Sequence, residues 1–174
     1  MNKAFLSIVL CLFFTVAFPM PGAASPSRQK DIDDIIEAVF RSQIKGFSSW
    51  KEVKVFFLSL YGKDPRDDIM KRFQGNIPPV KKVSKSSCQK EMPCQQFDKE
   101  TGEKGIVFYI SSIRFISTSR AEVDGGYHKD GLASDWGVFF MVKKRSKWVV
   151  EKHRQDIVSI SPYLHQPVLY AASR

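Results

Sequence analysis

The chain has 174 residues, of which 27 are Lys or Arg and 18 are Asp or Glu, giving a formal charge of +9. Apolar types make up 43% and charged types 26%, as in ordinary folded domains. That composition excludes wholesale disorder, a collagen-like repeat and a polytopic membrane protein, and the length suits one domain with a processed end.

Residues 1–24 read as a secretory signal. Lys3 supplies a positive start, and Ala4 to Phe18 form an apolar run interrupted only by Ser7 and Thr15. Pro19, Pro21 and Gly22 then break the helix, and Gly22-Ala23-Ala24 offers small side chains to a signal peptidase. A cut after Ser25 would place Pro26 just past the scissile bond, so Ala24 is the better site. The rival reading is a retained anchor, but the run falls short of the roughly 20 residues that span a bilayer. Cys11 follows Leu10 where a lipoprotein signal wants a small residue, and no Arg-Arg pair precedes the apolar run. The expected destination is the bacterial periplasm or the outside, as a periplasmic or secreted protein.

Cleavage removes one lysine and no acid, so the charge falls from +9 to +8. Two cysteines survive, Cys88 and Cys94, separated by a short loop containing Pro93. In an oxidising compartment the pair is a candidate disulfide, contributing only about 2 kcal/mol because the loop is small. Free thiols are the alternative. No histidine lies near them in sequence, and two ligands do not make a zinc cage, so no metal site is expected.

Ser25 to Lys30 reads as a polar, flexible leader (residues 25–30). From Asp31 the apolar stripe Ile32, Ile35, Ile36, Val39 and Phe40 predicts an amphipathic helix ending near Gly46, with Asp31, Asp33 and Asp34 in its first turn. The segment from Trp50 to Tyr61 is ambiguous. Val53, Phe56, Phe57 and Leu60 fit helical spacing, with Ser49 and Glu52 as a capping box. The short Val- and Phe-rich run from Val53 to Leu60, stopped by Gly62, favours a strand. Asp64-Pro65-Arg66-Asp67 predicts a helix start, with Asp64 as cap, Pro65 in the first turn, and Gly75 at the end.

After Pro78-Pro79 comes a basic extended stretch from Val80 to Val83, then an irregular region from Ser84 to Lys104. Strands follow at Gly105 to Ile116, Arg120 to His128, Asp135 to Lys144 and Lys147 to Ser159, the last two joined at Arg145-Ser146. Gly125-Gly126 inside a strand marks a bulge or sharp bend, or a place where a ligand approaches the backbone. Residues 160–174 read as a tail docked through Tyr163 and Leu164.

This order implies an α+β fold in which an N-terminal helix packs on a strongly curved, mostly antiparallel sheet. The stretches from Asp31 to Arg41, Lys63-Asp-Pro, Pro78 to Val83, Asp98 to Gly105, Ala121 to Tyr127 and Lys147 to Lys152 also look familiar. They resemble exported bacterial proteins of unassigned function in the nuclear transport factor 2-like (cystatin-like α+β roll) superfamily. The resemblance covers most of residues 31–159. It implies a cone-shaped hollow between sheet and helix, in a superfamily holding isomerases, adaptors, scaffolds and plain binding domains.

An isomerase-like member needs an inward carboxylate and paired hydroxyl donors. Tyr127 shares a strand face with Ala121 and Val123, Tyr109 alternates with Val107, and Asp156 stands in register with Trp148 and Val150. Tyr109, Tyr127, Trp148 and Asp156 are therefore the pocket candidates, but they assemble no complete catalytic set. His128 and His153 lie toward strand ends, where pairing could bring them together. No nucleophile elbow and no cofactor motif is present, so no cofactor is expected. The basic clusters Lys81-Lys82-Lys85 and Lys143-Lys144-Arg145-Lys147 suit solvated faces or an anionic surface or polymer, and no nucleic acid is expected without interleaved aromatics.

The functional expectation is an exported, non-catalytic binding domain whose partner is a small ligand or an envelope protein. The alternatives are a cavity enzyme of isomerase or hydrolase type, and an interaction module that dimerises through its open sheet face.

Overall fold

The structure, a computed structural model, describes residues 26–88, 94–130 and 134–159, with side chains to 156. Residues 1–24, expected to be a signal, and residues 160–174, expected to be a tail, lie outside the described residues. The rest is α+β: helix α1 (Pro26–Phe47), strand β1 (Val55–Leu60), helix α2 (Asp67–Lys71), then strands β2 (Val80–Lys82) and β3 (Ser86–Cys88). Strands β4 (Gln96–Asp98), β5 (Gly105–Phe115), β6 (Arg120–His128), β7 (Ser134–Lys144) and β8 (Lys147–Ser159) complete it. No helix among the described residues is long and apolar enough to cross a membrane.

The main sheet has six strands in the order β2-β1-β5-β6-β7-β8. It is mixed. β1 runs parallel to both β2 and β5, whereas β5 through β8 form an antiparallel meander. The Val53–Leu60 ambiguity resolves as strand, because Phe56 and Leu58 serve the helix-facing core while Val55 and Phe57 are also wholly buried on the other face. A strand covered on both sides loses its alternation, and that loss is what left helix and strand indistinguishable.

Helix α1 starts at Pro26, five residues before the expected Asp31, so most of the supposed leader is helical and the first turn holds no acid. Proline suits a first helical position, since its missing N–H has no partner there anyway. The apolar stripe behaves as expected: Ile35, Ile36, Val39 and Phe40 are buried against Phe56, Phe108, Ile110, Val123, Phe139, Met141 and Trp148. Each such side chain contributes roughly 1.5–3 kcal/mol of transfer free energy. The acids have other work. Asp31 accepts hydrogen bonds from Lys143 Nζ at 2.7 Å and Trp148 Nε1 at 2.9 Å, tying the helix to the last hairpin. Asp33 pairs with Arg66 at 2.9 Å, and Arg72 bridges Asp34 and Glu37.

The second helix differs from expectation at its start. It begins at Asp67 with Arg66 in the cap position and no side-chain cap. Asp64 instead accepts a hydrogen bond from the Ser84 backbone N–H at 2.8 Å, holding the loop before β3. The region expected to be irregular contains the β3–β4 hairpin, and the Cys88–Cys94 disulfide links its arms with Cα atoms 5.5 Å apart. Behind this hairpin Asp98 is buried beneath Lys81 (2.7 Å) and Thr101 (3.0 Å).

The regular pairing of the meander is interrupted along one line. β5 carries an extra residue, Ser111, between paired Ile110 and Ser112. Ile110 pairs with Gly125, Gly125 with Gly137, and Gly137 with Gln155, beside which Asp156 is a second extra residue. Bulge, glycine, glycine and bulge therefore cross four strands in register. Here backbones approach too closely for side chains: a Cβ on Gly125 would sit 2.5 Å from the Tyr109 carbonyl, and one on Gly137 2.2 Å from that of Arg154. On β6 the next residue is tighter still, with a Cβ on Gly126 only 1.9 Å from the Asp135 carbonyl. The Arg145-Ser146 turn has positive φ at both residues (48° and 66°), the conformation a two-residue hairpin favours.

Replacing Gly126 by Ala forces β6 from β7 and should cost about 3 kcal/mol in urea unfolding. The control, Gly46→Ala near the end of α1, meets nothing within 4 Å and should stabilise by about 0.5 kcal/mol.

Candidate functional site

Register decides which strand residues face the helix. On β6 these are Ala121, Val123 and Tyr127; on β7 they are Met141, Phe139, Gly137 and Asp135, the last paired with Tyr127. On β8, Trp148 and Val150 face inward, but Glu151 is a bulged residue between paired Val150 and Lys152. That extra residue reverses the alternation, so His153 and Gln155 take the helix side, opposite Phe139 and Gly137.

Asp156 is thereby turned away from Trp148 and Val150. It forms an exposed ion pair with Arg154 at 2.6 Å, which holds its carboxyl below the usual range. A one-residue insertion flips everything after it, and nothing in the apolar pattern betrays it. Tyr109 is corrected likewise. It pairs with Gly126 while Phe108 pairs with Tyr127, so the two tyrosines occupy opposite faces. Tyr109 lies over side-chain-free Gly126 and donates to the Asp135 carbonyl at 2.9 Å, with burial pushing its hydroxyl pKa well up. Trp148 is a core residue held by Asp31. Of the four candidates, only Tyr127 faces the helix near unspent polar groups.

Around Tyr127 the structure gathers residues the sequence reading did not join. Gln43 on α1, 7% exposed, donates Nε2 to the Gly126 carbonyl at 2.7 Å. Asp135, also 7% exposed, stands with Oδ2 3.9 Å from His153 Nε2. The His153 ring stacks on Phe139 with centroids 4.1 Å apart and passes so close to Gly137 that a Cβ there would meet Nε2 at 2.9 Å. Phe47 closes the end of α1, its ring 4.5 Å from Tyr127 and 4.8 Å from Trp50. Lys129 lies 4.6 Å over Trp50 and pairs with Glu52.

Two acceptors in this group are spent on nothing. Gln43 Oε1 and Asp135 Oδ1 are both buried without a hydrogen-bond partner. Each such group costs about 1–3 kcal/mol relative to a satisfied one. Burial raises the Asp135 pKa, and His153 and Gln155 only partly offset it. Burial, then Asp135 and Asp130, raise that of Tyr127.

His128 does not join His153. It is on the other face, its pKa lowered by burial beside the Cys94 backbone. Among the described residues no group of three or more His, Cys, Asp or Glu could hold a metal ion. The Lys81, Lys82 and Lys85 cluster is consumed in ion pairs with Asp98, Asp67 and Glu100. A shallow groove lined by Asp67, Met70, Phe73 and Val80 between α2 and β2 shares no residue with the Gln43–Asp135 group. Comparison with family models, with curated proteins and with solved structures finds no match.

A carboxyl whose folded pKa is raised favours folding when protonated. Its stabilising effect is complete below the unfolded value of about 3.9 and is lost as pH rises through the folded pKa. Asp135→Asn should remove this dependence and raise stability at pH 7–8 by about 1 kcal/mol, a fraction of the unsatisfied-acceptor cost. Urea unfolding of both proteins across pH 4–8 checks it: the advantage of the variant should grow with pH and then level off.

Proposed function

We propose that this is an exported, non-catalytic binding domain of the nuclear transport factor 2-like kind, taking a small polar ligand between the C-terminal half of α1 and the bent meander. The observation that carries the reading is the pair of buried, unpartnered acceptors, Gln43 Oε1 and Asp135 Oδ1, one on the helix and one on the sheet. Native domains leave few buried polar atoms unmatched, and a bound group is one way each such atom gains its partner. The α+β order with one long helix on a bulged, mostly antiparallel sheet supports the superfamily, and Cys88–Cys94 supports an oxidising compartment.

Binding is favoured over turnover by the geometry. An enolising enzyme needs donors converging on a developing oxyanion beside a base. The unspent groups are instead acceptors, and the Tyr109 hydroxyl is committed to a carbonyl on the opposite face.

The second reading, a docking or dimerising module, rests on the outer sheet face. There Trp136 is 39% exposed beside half-buried Phe140, Val142 and Val149, while the 3-10 turn residue Val83 covers Val55, Phe57 and Val107.

A thermal-shift screen of the purified protein against amines, polyols, sugars and carboxylates separates the two. A ligand at a hundred times its Kd adds about 2.7 kcal/mol, enough to raise Tm by several degrees. Backbone amide resonances of Gln43, Tyr127 and His153 should then move. Hits that move Trp136 and Phe140 alone, or concentration-dependent dimerisation without any hit, would replace the hollow by the sheet face.

A further inference from the structure

We infer that the group recognised at this site is a cationic nitrogen donor, a primary ammonium or an amidinium attached to a small apolar body, bound by Asp135 and Gln43. The inference rests on the binding reading above and names its ligand class.

The chemistry follows from what the two side chains have left to offer. The amide orientation of Gln43 is fixed, because turning it over would place Oε1 against the Gly126 carbonyl that Nε2 now meets at 2.7 Å. Its remaining buried atom can only accept. An ionised Asp135 also accepts only, so a ligand satisfying both must donate at two points. A hydroxyl can donate once. An ammonium donates three times and an amidinium four, and either brings the charge that a buried carboxylate lacks. A carboxylate or phosphate would add like charge beside Asp135 and leave both acceptors empty.

The surroundings fit the same ligand. Tyr127 and Phe47 present adjoining aromatic rings on the helix-facing side, surfaces that attract a cation and pack against an apolar body. Gly125 faces the same side without a side chain, and the His153 ring covers Gly137 beside Asp135. The nearest cation-forming group, His153, stands 3.9 Å from Oδ2 and is aligned by its stack on Phe139, leaving Oδ1 to the ligand.

The experiment is titration calorimetry of the purified full-length protein at pH 8 with benzylamine, benzamidine, benzyl alcohol and benzoate, each to 10 mM, alongside amide NMR. Benzylamine or benzamidine should bind at least tenfold more tightly than benzyl alcohol, benzoate should not bind, and the shifts should centre on Gln43, Tyr127, Asp135 and His153. Asp135→Asn should weaken the cation at least tenfold while its circular dichroism and urea midpoint show a folded protein. Equal binding of benzoate, or an affinity unchanged in Asp135→Asn, would overturn the cation assignment. If neutral or anionic compounds nonetheless shifted Tyr127 and His153, the binding reading would survive without it. Silence of all four residues toward every probe and every screened class would overturn both.

Discussion

Everything distinctive in this fold depends on one steric constraint: β5 to β8 come together where no side chain can stand between them. Ser111, Gly125, Gly137 and Asp156 mark that line, two by bulging out and two by having no Cβ. A bulge adds local twist and re-aims the residues after it, and glycine lets neighbouring backbones close in. The line is continuous across four strands, from the bulge on β5 to the bulge on β8. The missing side chain at Gly137 leaves the space in which His153 approaches Asp135, so the line and the polar group at its edge are linked.

The group around Asp135 is also where the molecule departs from its own rules. Among the described residues, three other acids packed against the fold are matched. Asp31 has Lys143 and Trp148, Asp98 has Lys81 and Thr101, and Asp33 has Arg66. Asp135 alone among these carboxylates has its pKa raised, with one oxygen in contact with nothing that donates. Leaving one oxygen of this carboxyl without a donor is a destabilising feature, as binding sites carry.

Legibility tracked periodicity. The stripe from Ile35 to Phe40 announced the helix and its buried side, and the meander strands were bounded by turn residues at Ser117–Ser119 and Arg145-Ser146. Gly125-Gly126 marks close backbone approach, while the bulge beside it is on β5. What stayed hidden was anything set by register. The bulge at Glu151 exchanges Asp156 for His153 on the helix side, and a bulge leaves no mark on hydrophobicity. Asp135 and Gln43 went unseen for another reason: they lie 92 positions apart in sequence. Only the packing of α1 over β6 brings them to one region, Gln43 at the Gly126 carbonyl and Asp135 opposite Tyr127. Asp64 looked like a helix cap because its type and spacing are right, yet a backbone N–H from a distant loop competed for it and won.

The bond from Trp148 to Asp31 joins residues 117 positions apart, and the amide of Gln43 reaches 83 positions forward to Gly126. The helix made first thus finds some of its partners on strands made late, beside nearer ones such as Arg66 and Arg72. Loop closure over such spans slows folding, so the N-terminal segment must wait for nearly the whole chain. The Trp148 tie therefore tightens only after the final hairpin has been made, and the Gln43 tie only after β6.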